Sequence, residues 1–144
     1  MIEHNKAQMR RFYEDVVNGW NVDLIDDLIA PDFVEHEQFP GLSGEGREGV
    51  KEFFALLRRA FPDLHMEPEQ LIAEGDTVVA RVRMTGTQQG EFMGMPATGK
   101  QVDVQTIDII RFRNGMATEH WGVTDSVALM QQLGAMPAPA GAPA

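Results

Sequence analysis

Cysteine is missing altogether from the 144 residues. Its absence excludes a disulfide framework, a thiolate zinc site and a cysteine nucleophile. Cations are scarce: 12 Lys and Arg stand against 22 Asp and Glu, a formal net charge of −10. A phosphate-binding surface needs clustered Lys and Arg, so neither nucleic acid nor an anionic membrane is an expected partner. No apolar run approaches the roughly 18 to 20 residues needed to span a bilayer. The opening MIEHNKAQMRRF lacks the apolar centre of a signal peptide, and a cytoplasmic protein is expected. His, Asp and Glu show no metal spacing such as HExxH, so no metal and no other cofactor is expected.

What is present is an ordinary globular composition, 43% hydrophobic and 24% charged. The length is that of one domain, assigned to residues 1–134 without internal repeats. Residues 135–144, ending MPAPAGAPA, cannot form a packed element and are expected to be disordered.

Met9, Phe12, Tyr13, Val16, Val17 and Trp20 recur with helical period, which predicts a helix over roughly residues 3 to 18. A second, shorter helix is predicted from an Asn21 N-cap to just before Pro31. Asp32 to His36 reads as extended, followed by a Gly- and Ser-rich loop from Pro40 to Gly46. A third helix carries Val50, Phe53, Phe54, Leu57 and Phe61 on one stripe and is closed by Pro62. From Leu64 the period becomes 2, giving strands over His65 to Ala73 and Thr77 to Gln89. Gly90 to Lys100 is a Gly- and Met-rich loop, Gln101 to Asp125 a β-hairpin, and Ser126 to Leu133 a last helix with Asp125 as its N-cap and Ser126 as the competitor for that position.

Helices first and antiparallel strands after them make an α+β pattern, with the helices on one face of a curled sheet enclosing an apolar cavity. The hairpin carries the chemistry. Asp108 lies between Ile107 and Ile109, and Glu119, His120 and Trp121 follow the turn. Strand parity decides whether His120 or Trp121 shares a face with Asp108. If Asn114-Gly115 is a two-residue turn, Arg113 pairs with Met116 and Asp108 faces Trp121. If Arg113-Asn114-Gly115 is a three-residue loop with a bulge at Gly115, Phe112 pairs with Met116 and Asp108 faces His120 and Gly122. Asn-Gly favours the first of these.

The order of elements, with DFVEHE (Asp32 to Glu37), GEFMGMPATGK (Gly90 to Lys100) and IDIIRFRNGMATEHW (Ile107 to Trp121), resembles the nuclear-transport-factor-2-like α+β cone. Within it the chain is similar to the SnoaL-like polyketide cyclase and ester cyclase family. The resemblance implies a curled, mostly antiparallel sheet with three helices from the N-terminal half over a central apolar cavity. It favours the bulged register, which we adopt as the expectation. It implies that Asp108 corresponds to the protonated, hydrogen-bond-donating Asp of ketosteroid isomerases of this fold, and His36 to their general base. The essential acid of the cyclases falls seven residues past the turn glycine. Gly122 stands there instead, which fits the family branch proposed to be cofactor-free hydroxylases of aromatic polyketides.

Asp108, His120 and His36 are therefore the expected catalytic residues, with His36 or His120 removing a proton beside a carbonyl and Asp108 stabilising the enolate. Trp20, Phe33, Phe54, Met84, Phe92, Met95, Thr106 and Gly122 are the expected pocket residues. The expected substrate is a hydrophobic carbonyl compound, an aromatic polyketide intermediate or its methyl ester, cyclised in an aldol-type closure. Hydroxylation of such a substrate and passive binding of an apolar ligand are the alternatives. A homodimer through the outer sheet face, where Ile107 and Ile109 would be exposed, is also expected.

Overall fold

The apolar stripe at the N-terminus forms a helix that changes pitch part-way along. In the computed structural model, which describes residues 1–137 apart from Gln38, Pro40 and Ser43, α1 spans Ile2–Arg11 and runs on as a π-helical segment over Phe12–Asn18. Met9, Tyr13, Val16 and Val17 are buried along it. Gly19 ends it, because a Cβ there would lie 2.8 Å from the Asp15 carbonyl oxygen. A short 3-10 turn, Val22–Leu24, leads into α2, Ile25–Leu28.

The second helix is shorter than its sequence predicts, and the Asn21 side chain does not cap it. Ile29 and Ala30 belong instead to β1, Ile29–Glu35, because Ile29 pairs with Ala117 of the neighbouring strand. Pro31 is tolerated there because β1 is an edge strand. α3, Gly46–Ala60, buries Val50, Phe54 and Leu57, and Phe61 after it is fully enclosed.

β2 (His65–Glu74), β3 (Thr77–Thr87), β4 (Gln101–Arg113) and β5 (Met116–Thr124) complete a five-stranded mixed sheet of order β1-β5-β4-β3-β2. β1 runs parallel to β5 and the other neighbours are antiparallel. The sheet is open, with the helical elements against one face, as expected of an α+β cone. Period 2 sorts its side chains: Val78, Ala80, Val82 and Met84 are buried, while Arg81 and Arg83 face outward and pair with Glu69 and Asp103. β4 alternates likewise, so that Val102, Val104, Thr106 and Asp108 all point inward.

The hairpin combines features of both registers considered. Asn114 and Gly115 both have positive φ, 52° and 77°, and Arg113 pairs with Met116 across a two-residue turn. The bulged loop expected at Gly115 is absent. An extra residue, Thr118, enters further along: Phe112 pairs with Ala117 but Arg111 with Glu119. That β-bulge reverses the parity once, and Asp108 comes to lie opposite Gly122 on the face of His120.

The Gly- and Met-rich loop is folded down by the fully buried Gln88, whose amide donates to the carbonyls of Gly90, Met95 and Pro96 and accepts from the Thr98 hydroxyl. α4, Ser126–Gln132, begins as its sequence predicts, with the Asp125 carboxylate accepting from the Ala128 N–H at 3.1 Å. From position 138 the tail lies outside the described residues. Among those residues no helix is long and apolar enough to cross a membrane.

Candidate active site

Two Glu-His dipeptides, Glu35-His36 on and after β1 and Glu119-His120 on β5, come side by side because the strands are parallel and Glu35 is in register with His120. Alternation sends one residue of each dipeptide inward and the other outward. Inside, the His120 ring is held at both nitrogens: Nδ1 by Glu35 Oε1 and Nε2 by Asp108 Oδ1 at 2.8 Å. Asp108 Oδ2 accepts the Tyr13 hydroxyl at 2.6 Å. Tyr13 reaches it from the π-helical segment, a deviation from α-helix that recurs at functional sites.

Burial alone would push the His120 imidazole down, but the hydrogen bonds and charges of Asp108 and Glu35 outweigh it and raise its pKa to about 10. His120 is thus an imidazolium donating from both nitrogens. Burial, reinforced by the Asp108 charge and hydrogen bond, pushes the Tyr13 phenol well above its ordinary value, so it remains a donor. Burial also raises the Glu37 carboxyl, opposed by the His120 cation and assisted by the charges of Asp108 and Glu35. These groups open on a cavity of about 600 Å³ whose apolar walls include Phe12, Phe33, Phe53, Phe54, Leu57, Met66 and Met84. Such a space holds a multi-ring organic molecule.

The family model for SnoaL-like polyketide cyclases matches residues 7–133. The chain belongs to that family. A curated relative, aklanonic acid methyl ester cyclase DauD of Streptomyces sp. (strain C5), is 31% identical over 126 residues, covering 83% of this chain and 77% of the relative. Two solved structures share the fold over nearly the whole chain. TsrD from Streptomyces laurentii has a TM-score of 0.84 at 28% identity, covering 93% of this chain and 97% of TsrD. AclR, a proposed hydroxylase from Streptomyces galilaeus, has a TM-score of 0.85 at 30% identity, covering 98% of this chain and 87% of AclR.

In this SnoaL-like cyclase Asp108, His120, Phe33, Phe54, Met84 and Thr106 all line the cavity, and Gly122 lies against Asp108 and His120. The other expected site residues are elsewhere. His36 projects from the outer side, where its Nε2 pairs with Glu119 at 2.9 Å and its ring stacks on Trp121 at 4.7 Å. The parity that turns Glu35 inward turns His36 outward. Trp20 follows the helix-ending Gly19 with φ 53° and lies under the Arg58 guanidinium, 4.8 Å away, rather than in the cavity. Phe92 is core, packed edge-on against Phe61 at 5.3 Å, and Met95 is bridged to it; the Gln88 anchor holds both under the loop.

Two expected chemical assignments also change. An imidazole that keeps its proton to about pH 10 is not a base at neutral pH. Asp108 accepts at both oxygens, so it is not placed as the donor of the isomerase pattern. Sequence reasoning missed Tyr13, Glu35 and Glu37. The repeated Glu-His dipeptide was the available signal for Glu35, and DFVEHE contains Glu37, but Tyr13 is indistinguishable from any core residue of a helical stripe.

Proposed function

We propose that this SnoaL-like cyclase closes a ring in a methyl-esterified aromatic polyketide by an intramolecular aldol reaction. Family membership makes it an enzyme acting on a small molecule, not a passive ligand carrier. The reaction needs a C–H between carbonyls to lose its proton, an enolate to survive briefly, and an internal carbonyl to be held against it. The observation that carries the reading is the imidazolium of His120, fixed by Asp108 and Glu35 on the wall of an apolar cavity. With both N–H groups held by Asp108 and Glu35, the ring acts on a developing oxyanion through its charge, from a position fixed before the reaction. Asp108, Glu35 and Glu37 on the same wall disfavour an anionic substrate, and a methyl ester avoids that repulsion. DauD and a second curated relative, DnrD of Streptomyces peucetius, are both aklanonic acid methyl ester cyclases.

The test is incubation of the protein with aklanonic acid methyl ester, with product read by chromatography and mass. An isomer of unchanged mass is expected, and its absence would sink the reading. His120→Gln, which keeps ring-like polarity without charge, is expected to lower kcat by roughly 10² to 10³-fold.

A second reading is hydroxylation, favoured by Gly122 and by the likeness to AclR. There the same enolate adds dioxygen and a proton to give a hydroperoxide, which a two-electron donor such as a thiol or a second reduced substrate converts to the alcohol and water, so product formed under ¹⁸O₂ keeps one labelled atom. The proposal extends to a cytoplasmic location and a homodimer through the outer sheet face, where Ile72, Ile107 and Val123 are exposed at 55%, 38% and 74%. Sedimentation as a monomer at micromolar concentration would count against the dimer.

A further inference from the structure

Gly122 is the point on which the ionisable groups of the cavity converge. A Cβ there would lie 2.8 Å from Glu37 Oε2, 2.8 Å from His120 Cε1 and 3.0 Å from Asp108 Oδ1. Any side chain at this position would displace the Glu37 carboxyl, which approaches from the segment after β1 and lines the cavity. The absent side chain is therefore space that a carboxyl from another strand occupies.

The groups around that point are not equivalent. His120 has both nitrogens engaged, Asp108 accepts at both oxygens, and Glu35 Oε1 is bound to His120 Nδ1 and to the Glu37 N–H. The Glu37 carboxyl makes no hydrogen bond or ion pair to any described residue. Moving a proton to and from a substrate needs an oxygen that is not already committed, near the bound molecule. Among the described residues, Glu37 is the one carboxyl of this group with neither oxygen engaged, and it lines the cavity.

We propose that Glu37 is the catalytic base and acid of this enzyme, standing in space for a side chain that Gly122 does not have. Resting on the aldol reading, the step balances without a further reactant. Glu37 takes the proton from the C–H between carbonyls, and that bond's electron pair becomes the enolate. The enolate carbon bonds to the internal carbonyl carbon, whose π pair moves to oxygen. Glu37 then returns its proton to that alkoxide, and the product is an isomer of the substrate. His120 from β5, Asp108 from β4, Glu35 from β1 and Tyr13 from the first helix face this centre, and Glu45 at the start of α3 also lines the cavity. Burial and the Asp108 and Glu35 charges bring the carboxyl toward the range where it both takes and returns a proton, with His120 limiting the shift.

The test uses the full chain with aklanonic acid methyl ester as probe, following both ring closure and uptake of deuterium at the acidic carbon in D₂O. Glu37→Gln is expected to lower kcat and deuterium uptake by about 10² to 10⁴-fold, to leave KM within a few-fold, and to abolish the acidic limb of the kcat profile. Glu37→Asp is expected to restore part of the rate and the limb. A Glu37→Gln protein that is folded by circular dichroism and retains wild-type deuterium uptake, or the acidic limb, overturns the proposal. If wild type exchanges deuterium but closes no ring, the aldol reading fails while Glu37 is still judged by exchange. If it does neither, ¹³C carboxyl titration decides: a Glu37 midpoint above the ordinary glutamate range supports the assignment and an ordinary midpoint overturns it.

Discussion

Two glutamate–histidine pairs lie back to back across β1 and β5, Glu35 with His120 inside and Glu119 with His36 outside. They are built from the same two dipeptides, and their behaviour differs because of what surrounds them. The His120 side chain is 15% exposed and shares its charge with a second carboxylate, Asp108. The His36 side chain is 38% exposed, and its carboxylate partner is shared with Arg111 at 2.7 Å, so the outer cluster is solvated. Hydrogen bonding from His36, with the charges of Arg111 and His36, holds the Glu119 carboxyl below its usual range. Burial and a second carboxylate, rather than the dipeptide itself, set the inner pair apart.

The largest expected effect comes from removing the acceptor that only the inner pair has. Asp108→Ala leaves the Tyr13 phenol without its acceptor and the His120 ring with Glu35 alone, and should cost about 1 to 3 kcal/mol in urea unfolding. Full wild-type stability in that variant would mean the inner cluster is not energetically distinct from the outer one. Next in size is the pH response. Because the folded-state pKa of His120 is raised from 6.5 to about 10, its contribution to stability is complete below about pH 6.5 and is lost as pH rises through about 10. The unfolding midpoint should accordingly fall across that window in wild type and flatten in His120→Gln; equal slopes in the two would erase the contrast.

Smallest are the effects on the outer pair. His36→Ala and Glu119→Gln should each leave the urea unfolding midpoint close to that of wild type, since exposed ion pairs contribute little. Turnover of aklanonic acid methyl ester should stay within about twofold for His36→Ala, measured in parallel with wild type. A loss of 100-fold there would return His36 to the catalytic role its sequence position suggested.

Much of this was legible in the sequence because it depends on periodicity. Val78, Ala80, Val82 and Met84 alternate visibly, and the inward position of Asp108 follows from the same period. The helical stripes, the Asp125 cap and the hairpin turn are likewise local chemistry. What was not legible depends on pairings distant along the chain. Nothing near Ile29 announces that Ala117 will draw it out of a helix, and nothing near Glu35 shows that His120 waits on a parallel neighbour. Trp20, Phe92 and Met95 were misplaced for a related reason: apolar bulk marks burial but not which surface does the burying. The Glu37 carboxyl could be found only once the empty side of Gly122 had a shape.

The doubled residue at Ala117 and Thr118 acts on β5 as a frameshift acts on a reading frame. Everything downstream is displayed on the opposite side, and Glu119, His120 and Trp121 acquire their surroundings from that one offset. Loss of a single residue there would turn His120 to the outer face and bring Glu119 and Trp121 inward, while Glu35 and His36 on β1 kept their sides. A compensating insertion before Glu119 would cancel it. The site is therefore inherited through segment length as much as through residue identity, and a length difference between Gly115 and Glu119 in a relative signals a change of face before any substitution is considered.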